Sequence, residues 1–417
     1  MRAKTKQNGS RLVVKFGGSS LSSPRKVSRV VGAVRRAIRE GTQVAVVVSA
    51  MGRMTDDLLE ALSTTCSNRS GDHADDVLSM GERTSARIFH TALSAQGVTS
   101  KYFDPHDDEW PIATDDNFGD AAPILSICQR QIRRHVLPCL KKGIVPVLPG
   151  FVGKTADGKI TTMGRGGSDI TAFLLARCLP AAECILVTDS DGLMTADPKL
   201  VKEAHPISQI SVRGLMGLAD SGTKFLKTKA LRFLNDSFRV RIASNLAPSL
   251  RSGGTVIKGS FPEAITAKLE GQGPAAMITV TGQGISQNPK ILKEILSKIT
   301  KERTEILGFS ANSNSLIIYV PWQRKPRLVN EIHRCVLAHQ EMTAMAVRDN
   351  LSLITIAGAG FVETPGLVAS VSEPLKEASL NIYGIFTIAS SIVVAVDWME
   401  REKALRLVKK SLRRYAA

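Results

Sequence analysis

The first two-thirds of the chain alternate short, almost unbroken apolar runs with longer stretches in which apolar residues recur every three or four positions. Residues 12–16 (LVVKF), 44–48 (VAVVV), 101–103, 145–148, 185–187 and 240–242 read as strands. The clearest helix between them opens at Ser23-Pro24, an N-cap followed by proline at the first helical position. It places Val27, Val30, Val31, Val34 and Ile38 on one face and stops at Gly41. A further helical run over 84–93 is opened by Met80-Gly81-Glu82-Arg83. Continuous apolar strands separated by helices predict an α/β domain with a mostly parallel sheet, sandwiched by helices on both faces. Ligands of such sheets sit at the carboxyl ends of the strands.

Beyond about residue 259 the rhythm changes. Strand (MITVTG), helix (290–301), strand (306–309), strand (316–320) and helix (327–338) follow one another. From Leu351 the order returns as LSLITIAGAG, a helix over 367–377, NIYGIF, SSIVVAVD and a helix over 400–412. Two βαββα copies predict a C-terminal α+β region of two small domains. The domains expected are 1–262, 275–345 and 346–417, the boundary falling in the Gly/Pro-rich stretch 258–274.

Composition narrows the function classes. With 43% hydrophobic and 22% charged residues, 417 residues are ample for several packed cores. The longest apolar stretches are too short to span a membrane and no signal region follows the basic N-terminus, so a cytoplasmic protein is expected. The six cysteines form no CxxC or Cys/His cluster, which argues for a reduced protein without structural zinc. A net charge of +17 raises nucleic-acid binding. The basic residues are scattered, however, and aromatics are only 5%, leaving no stacking platform, so no nucleic-acid partner is expected.

Two strand ends and one helix start carry chemistry. Lys15-Phe16-Gly17-Gly18-Ser19-Ser20 follows the first strand, where glycines admit an anion to backbone N–H groups and the lysine adds charge; a plain tight turn reads the same way. Thr188-Asp189-Ser190-Asp191-Gly192 follows CILV, with Asp197-Pro198-Lys199 behind it, and suits either phosphates with Mg²⁺ or an Asx turn. Arg165-Gly166-Gly167-Ser168-Asp169 precedes an apolar helix. Here Ser168 is a candidate cap, and the helix-start N–H groups with Arg165 form a candidate carboxylate or phosphate cradle. Glu82 is a first-turn dipole partner or an acceptor for a substrate ammonium.

The order KFGGSSL, VVSAMGRMTDDLL, MGER, PVLPGF, TTMGRGGSD, VTDSDGLMTADPK, SGTKFL and then the paired βαββα repeat resembles the aspartate kinases, of the amino acid kinase fold with tandem ACT domains. The resemblance implies transfer of the ATP γ-phosphoryl group to the β-carboxylate of L-aspartate, the first step toward lysine, threonine and methionine. It implies that Lys15, Asp169 and Lys224 are catalytic. Ser49, Thr55, Glu82, Arg165, Gly166, Gly167 and Ser168 would bind aspartate, Glu82 facing the α-ammonium and Arg165 the α-carboxylate. Lys15, Gly17, Gly18, Ser19, Thr188, Asp189, Asp191, Met194, Lys199 and Lys224 would bind ATP. Mg²⁺ would be held mainly by the phosphates, with no protein metal site. An amino-acid effector and a homodimer through the ACT domains are further implications.

The chain departs from the family at several points. Met194 stands where a tyrosine is common in the nucleotide loop, and Phe225-Leu226-Lys227-Thr228-Lys229 replaces a His-Pro-Arg run. In the ACT-like units a Ser-Glu pair is missing at Thr387-Ile388-Ala389-Ser390-Ser391-Ile392, and Gln287-Asn288-Pro289 stands for an Asp-x-Pro-Gly turn. The competing readings are a kinase with a glutamate-type acceptor and a non-catalytic amino-acid sensor.

Overall fold

The computed structural model describes residues 10–65, 71–219, 228–260, 265–323, 326–358, 366–388 and 391–413. The chain separates into two compact units, 1–261 and 262–417.

In the first unit, β1 (Arg11–Phe16), β2 (Gln43–Val48), β3 (Ser100–Tyr102), β4 (Val145–Pro149), β7 (Glu183–Thr188) and β9 (Arg239–Ser244) run parallel, joined by β8 (Gln209–Ser211) and β10 (Thr255–Lys258). The order is β3-β4-β2-β1-β7-β9-β10-β8, with only the β9/β10 pairing antiparallel. A small hairpin of β5 (Val152–Lys154) and β6 (Ile160–Thr162) stands apart. Helices α1 (Pro24–Arg39), α2 (Met54–Thr65), α3 (Asp72–Ala95), α4 (Leu125–Gln131), α5 (Leu137–Lys141), α6 (Gly167–Cys178), α7 (Val212–Ala219) and α8 (Thr228–Leu231) fill the connections.

Each expected strand is present within a residue or two, because runs such as VAVVV are buried on both faces and satisfy their backbone only in a sheet interior. Val14 and Phe16 of β1 pack with Val27, Val30, Val31 and Val34 of α1 and with Phe89 of α3, where the Phe16 and Phe89 rings stack at 5.2 Å. The alternation of the strand turns Lys15 the other way. There α6 lies against β1 and β7, buried along its whole length except at Arg177. Ser23 caps α1 as expected, accepting from the Lys26 N–H at 3.4 Å.

One helix differs from the reading. Glu82 is in the middle of α3, not in a first turn, because α3 begins ten residues earlier at Asp72. A glycine inside a helix reads as an end, but a Cβ at Gly81 would stand 3.0 Å from Ala50 Cβ. Gly81 is the place where α3 crosses closely over the loop after β2.

In the second unit, β12 (Gly308–Asn312), β13 (Ser315–Pro321), β11 (Thr266–Gly282), β14 (Met342–Ala357), β16 (Ser391–Asp397) and β15 (Gly384–Ile388) form one sheet in that order. Helices α9 (Pro289–Lys301) and α10 (Pro326–Ala338) cover one core, and α11 (Leu367–Glu377) and α12 (Arg401–Leu412) another. This is the tandem βαββα form expected of paired ACT domains. The division of the two units at 261/262 falls in the stretch read as a boundary, but from Thr266 that stretch is already strand: Ile265 and Ala267 enter the second core, and β11 then passes into the first. Register shifts at Glu270/Ala275 absorb the glycines and Pro274 that suggested a linker.

Candidate active site

The carboxyl ends of five parallel strands meet at one edge of the first sheet. Register places Phe16 beside Val48 and Val187, Val48 beside Pro149, and Thr188 beside Ser244. Beyond the strands the loops bond each other: Ser49 N–H to Phe16 O (3.0 Å), Gly17 N–H to Val187 O (3.2 Å) and Gly150 N–H to Val48 O (2.8 Å). Gly52 N–H donates to Gly18 O at 3.2 Å, and a Cβ at Gly18 would lie 2.6 Å from the Ala50 carbonyl. The loops after β1 and β2 are therefore in backbone contact, which only glycine permits. Lys26 of α1 fastens the first loop further, donating to Ser19 O at 2.9 Å. Sequence reading missed Lys26, which sits among ordinary helical basic residues.

The Lys15 ammonium lies 2.7 Å from Asp169 Oδ1, with the two side chains 16% and 12% exposed. Asp169 Oδ1 finds no well-aimed hydrogen bond, so the contact is an ion pair off the hydrogen-bond direction. Asp169 belongs to the first turn of α6 and Ser168 beside it is buried. Gly166, at φ 88°, is the N-cap of this helix, not Ser168. The cradle at the helix start is also narrower than expected: the Gly167 and Asp169 N–H groups donate to Gly164 O and Gly166 O at 3.0 Å each. A tight glycine turn folds these donors back onto the loop itself. Arg165, one residue before the cap, is exposed.

Glu82 is 4% exposed, and its Oε2 has no hydrogen-bond partner. Burial drives its pKa up from 4.5 to about 7, although the Ala50 N–H, its own N–H and the Lys15 charge pull the other way. Thr55 Oγ1 faces Gly81, one residue from Glu82. Lys15, Asp169, Ser168, Glu82, Thr55 and Ser49 thus gather around one strand edge, with Gly17 and Gly18 behind them.

The residues expected on the nucleotide side are looser. Thr188 donates to Asp189 Oδ1 at 3.2 Å, Asp189 and Asp191 are exposed, and Met194 forms a bridge with Pro206. Lys199 is exposed in the excursion that follows, where its N–H donates to Asp197 Oδ1 at 2.9 Å. Lys224 lies outside the described residues. The five described cysteines are buried and free. Among the described residues, no three His, Cys, Asp or Glu side chains group as metal ligands, and no helix is long and apolar enough to cross a membrane.

A buried carboxylate with one oxygen unpartnered, a cation and glycine-rich loops at strand ends are what a site for an ammonium and for phosphates requires. The model of the amino acid kinase family matches residues 10–244. The aspartokinase of Geobacillus stearothermophilus is 30% identical over 391 residues, 93% of this chain and 93% of that protein. The chain belongs to the aspartokinase family.

Other aspartokinases agree over the same span, among them that of Mycolicibacterium smegmatis, 28% identical over 94% of both proteins. The fold is that of aspartate kinase from Synechocystis, at a TM-score of 0.76 and 23% identity over 97% of this chain and 69% of that one. Escherichia coli aspartokinase III, solved with aspartate and ADP, matches at a TM-score of 0.54 and 21% identity, covering 96% of this chain and 99% of that one.

Proposed function

We propose that this chain transfers the γ-phosphoryl group of ATP to the β-carboxylate of L-aspartate, giving 4-phospho-L-aspartate and ADP, at the strand edge around Lys15. The observation that carries the proposal is the juxtaposition of the Lys15–Asp169 pair with the buried, half-satisfied Glu82. Glu82 takes the α-ammonium of aspartate, which supplies the charge its burial lacks, and Thr55 and Ser49 line the same side. Arg165 and Ser168 take the α-carboxylate. Thr188, Asp189, Asp191, Met194, Lys199 and Lys224 serve ATP, with Gly17, Gly18 and Ser19 around the phosphates.

The chemistry asks little covalent help of the protein. The β-carboxylate, with an ordinary pKa of about 3.9, is ionised at neutral pH and is already a nucleophile. Its oxygen forms a bond to the γ-phosphorus as the bond to the β,γ-bridging oxygen breaks, and that electron pair leaves on ADP. Lys15 neutralises charge building on the transferring group, and Asp169 holds the ammonium in place between turnovers. Mg²⁺ would be carried mainly on the nucleotide's phosphates, where it would draw charge off the leaving group; the exposed carboxylates Asp189 and Asp191 after β7 are hard oxygen donors of the kind that would help hold it.

The second unit is proposed to pair two chains through its ACT-type sheet, a reading supported by its edge strands β12 and β15. It is also proposed to sense an amino acid, in line with the lysine and aspartate complex of E. coli aspartokinase III, similar in fold. The test is ADP release measured with aspartate, with glutamate and with no acceptor, and hydroxylamine trapping of the acyl phosphate. Aspartate-dependent release with a trapped hydroxamate is expected; equal release in all three arms refutes the assignment.

A further inference from the structure

Asp75 is 2% exposed and lies on α3, seven residues and about two turns before Glu82. Its Oδ2 accepts from the Thr162 N–H at 2.6 Å and from the Gly119 N–H at 2.9 Å, and its Oδ1 accepts from Thr162 Oγ1 at 2.9 Å. Burial raises its pKa, and these three donors pull it back. A buried carboxylate with three donors and, among the described residues, no ion-pair partner is a costly way to hold two loops together, so what the loops carry matters.

Thr162 ends β6, and Met163, Gly164 and Arg165 follow at once. The second loop, around Gly119, lies along the first: Ala121 N–H donates to Thr162 O at 2.9 Å. From the far side Lys229 of α8 ties both, donating to Asp120 Oδ1 (2.5 Å) and to Met163 O (3.3 Å). The turn that presents Arg165 therefore hangs on Asp75, and Asp75 shares its helix with Glu82.

We propose that Asp75 is a positioning residue for the amino-acid substrate: by holding Thr162 it fixes the Arg165 turn relative to Glu82. One rigid helix then sets the separation of the group that meets the α-carboxylate from the group that meets the α-ammonium. This rests on the functional reading above. The ATP-side residues follow β1 and β7 and lie outside the two loops that Asp75 holds.

The test is steady-state kinetics on the full chain. Asp75→Ala removes the acceptor of all three bonds and frees both loops, and is expected to raise the KM for aspartate about tenfold or more, because ångström-scale misplacement of a binding group has effects of that size. The KM for ATP stays within about twofold, and any fall in kcat, passed on through Asp169 at the end of the same turn, is smaller than the rise in the aspartate KM. Thr162→Val removes only the hydroxyl donor and shifts the aspartate KM the same way by less; Thr162→Ser restores it. If Asp75→Ala does not fold, the Thr162 pair carries the test. Parallel loss in kcat and both KM values with a falling Tm, or an unmoved aspartate KM, overturns the inference. No aspartate-dependent turnover in the unmutated chain overturns the functional reading, and this inference with it.

Discussion

Replacing Glu82 by glutamine probes the least comfortable group of the site. Burial lifts the Glu82 pKa from 4.5 to about 7, and with 4% exposure solvent screens little of the effect. At 1.36 kcal/mol per pH unit, the folded ligand-free protein bears about 3 kcal/mol for keeping this carboxylate ionised. Because the folded pKa is the raised one, stability is complete below about pH 4.5. It declines as pH rises toward 7, and the deficit levels off above that. Glu82→Gln has no such deficit, so between pH 5 and 8, where about 2.5 kcal/mol of it develops, its Tm relative to the unmutated protein rises by roughly 5–10 °C, at about 2–4 °C per kcal/mol for a domain of this size. Any constant offset from the amide itself cancels in that comparison. Aspartate binding runs the opposite way. In the unmutated protein the KM for aspartate falls as pH rises from 6 to 8 and Glu82 loses its proton, by at most about tenfold per unit. In Glu82→Gln it is high and flat. Differential scanning fluorimetry across pH, with initial rates at each pH, reads both. A pH-independent Tm difference, or an aspartate KM that is level across this range before mutation, shows that Glu82 is not a buried acceptor for the substrate ammonium.

Other outcomes follow from the same geometry. Lys15→Ala lowers kcat by about 10²–10³, the loss of one preorganised charge contact, whereas Arg165→Ala chiefly raises the KM for aspartate; small, equal effects of both in initial-rate assays contradict the division of roles. Gly18→Ala drives a Cβ to 2.6 Å from the Ala50 carbonyl, so the two loops separate and the KM for ATP climbs about tenfold or more; an unchanged KM shows that the loop contact does not shape the phosphate site. Phe173→Ala empties a wholly buried position on α6 and costs about 3–5 kcal/mol in denaturant unfolding.

Much of the fold was legible because its strands are buried on both faces. VAVVV and its equivalents admit one environment, and the Ser23-Pro24 start of α1 is a local hydrogen-bond signal. The start of α3 was not legible, since Gly81 looks like an end unless one knows that Ala50 lies against it. The cap of α6 was misplaced for a related reason: the helix opens at Gly166 and not at Ser168 because Gly166 takes a left-handed φ, which depends on the loop it closes against. The second unit's shared strand was hidden because glycines and Pro274 signal a break, while the partner strand β14 that bridges it lies seventy or more residues away.

By itself the sequence determined which residue types stand at the strand ends, which strands are interior and that the C-terminal part repeats, because local periodicity and backbone hydrogen bonding decide these. Only the tertiary structure decided that Lys15 meets Asp169, that Glu82 loses its water and that Asp75 reaches Thr162. Those are matters of distance and desolvation between segments far apart along the chain. No run of neighbouring residues encodes them; they exist only once the sheet has brought its strand ends to one edge.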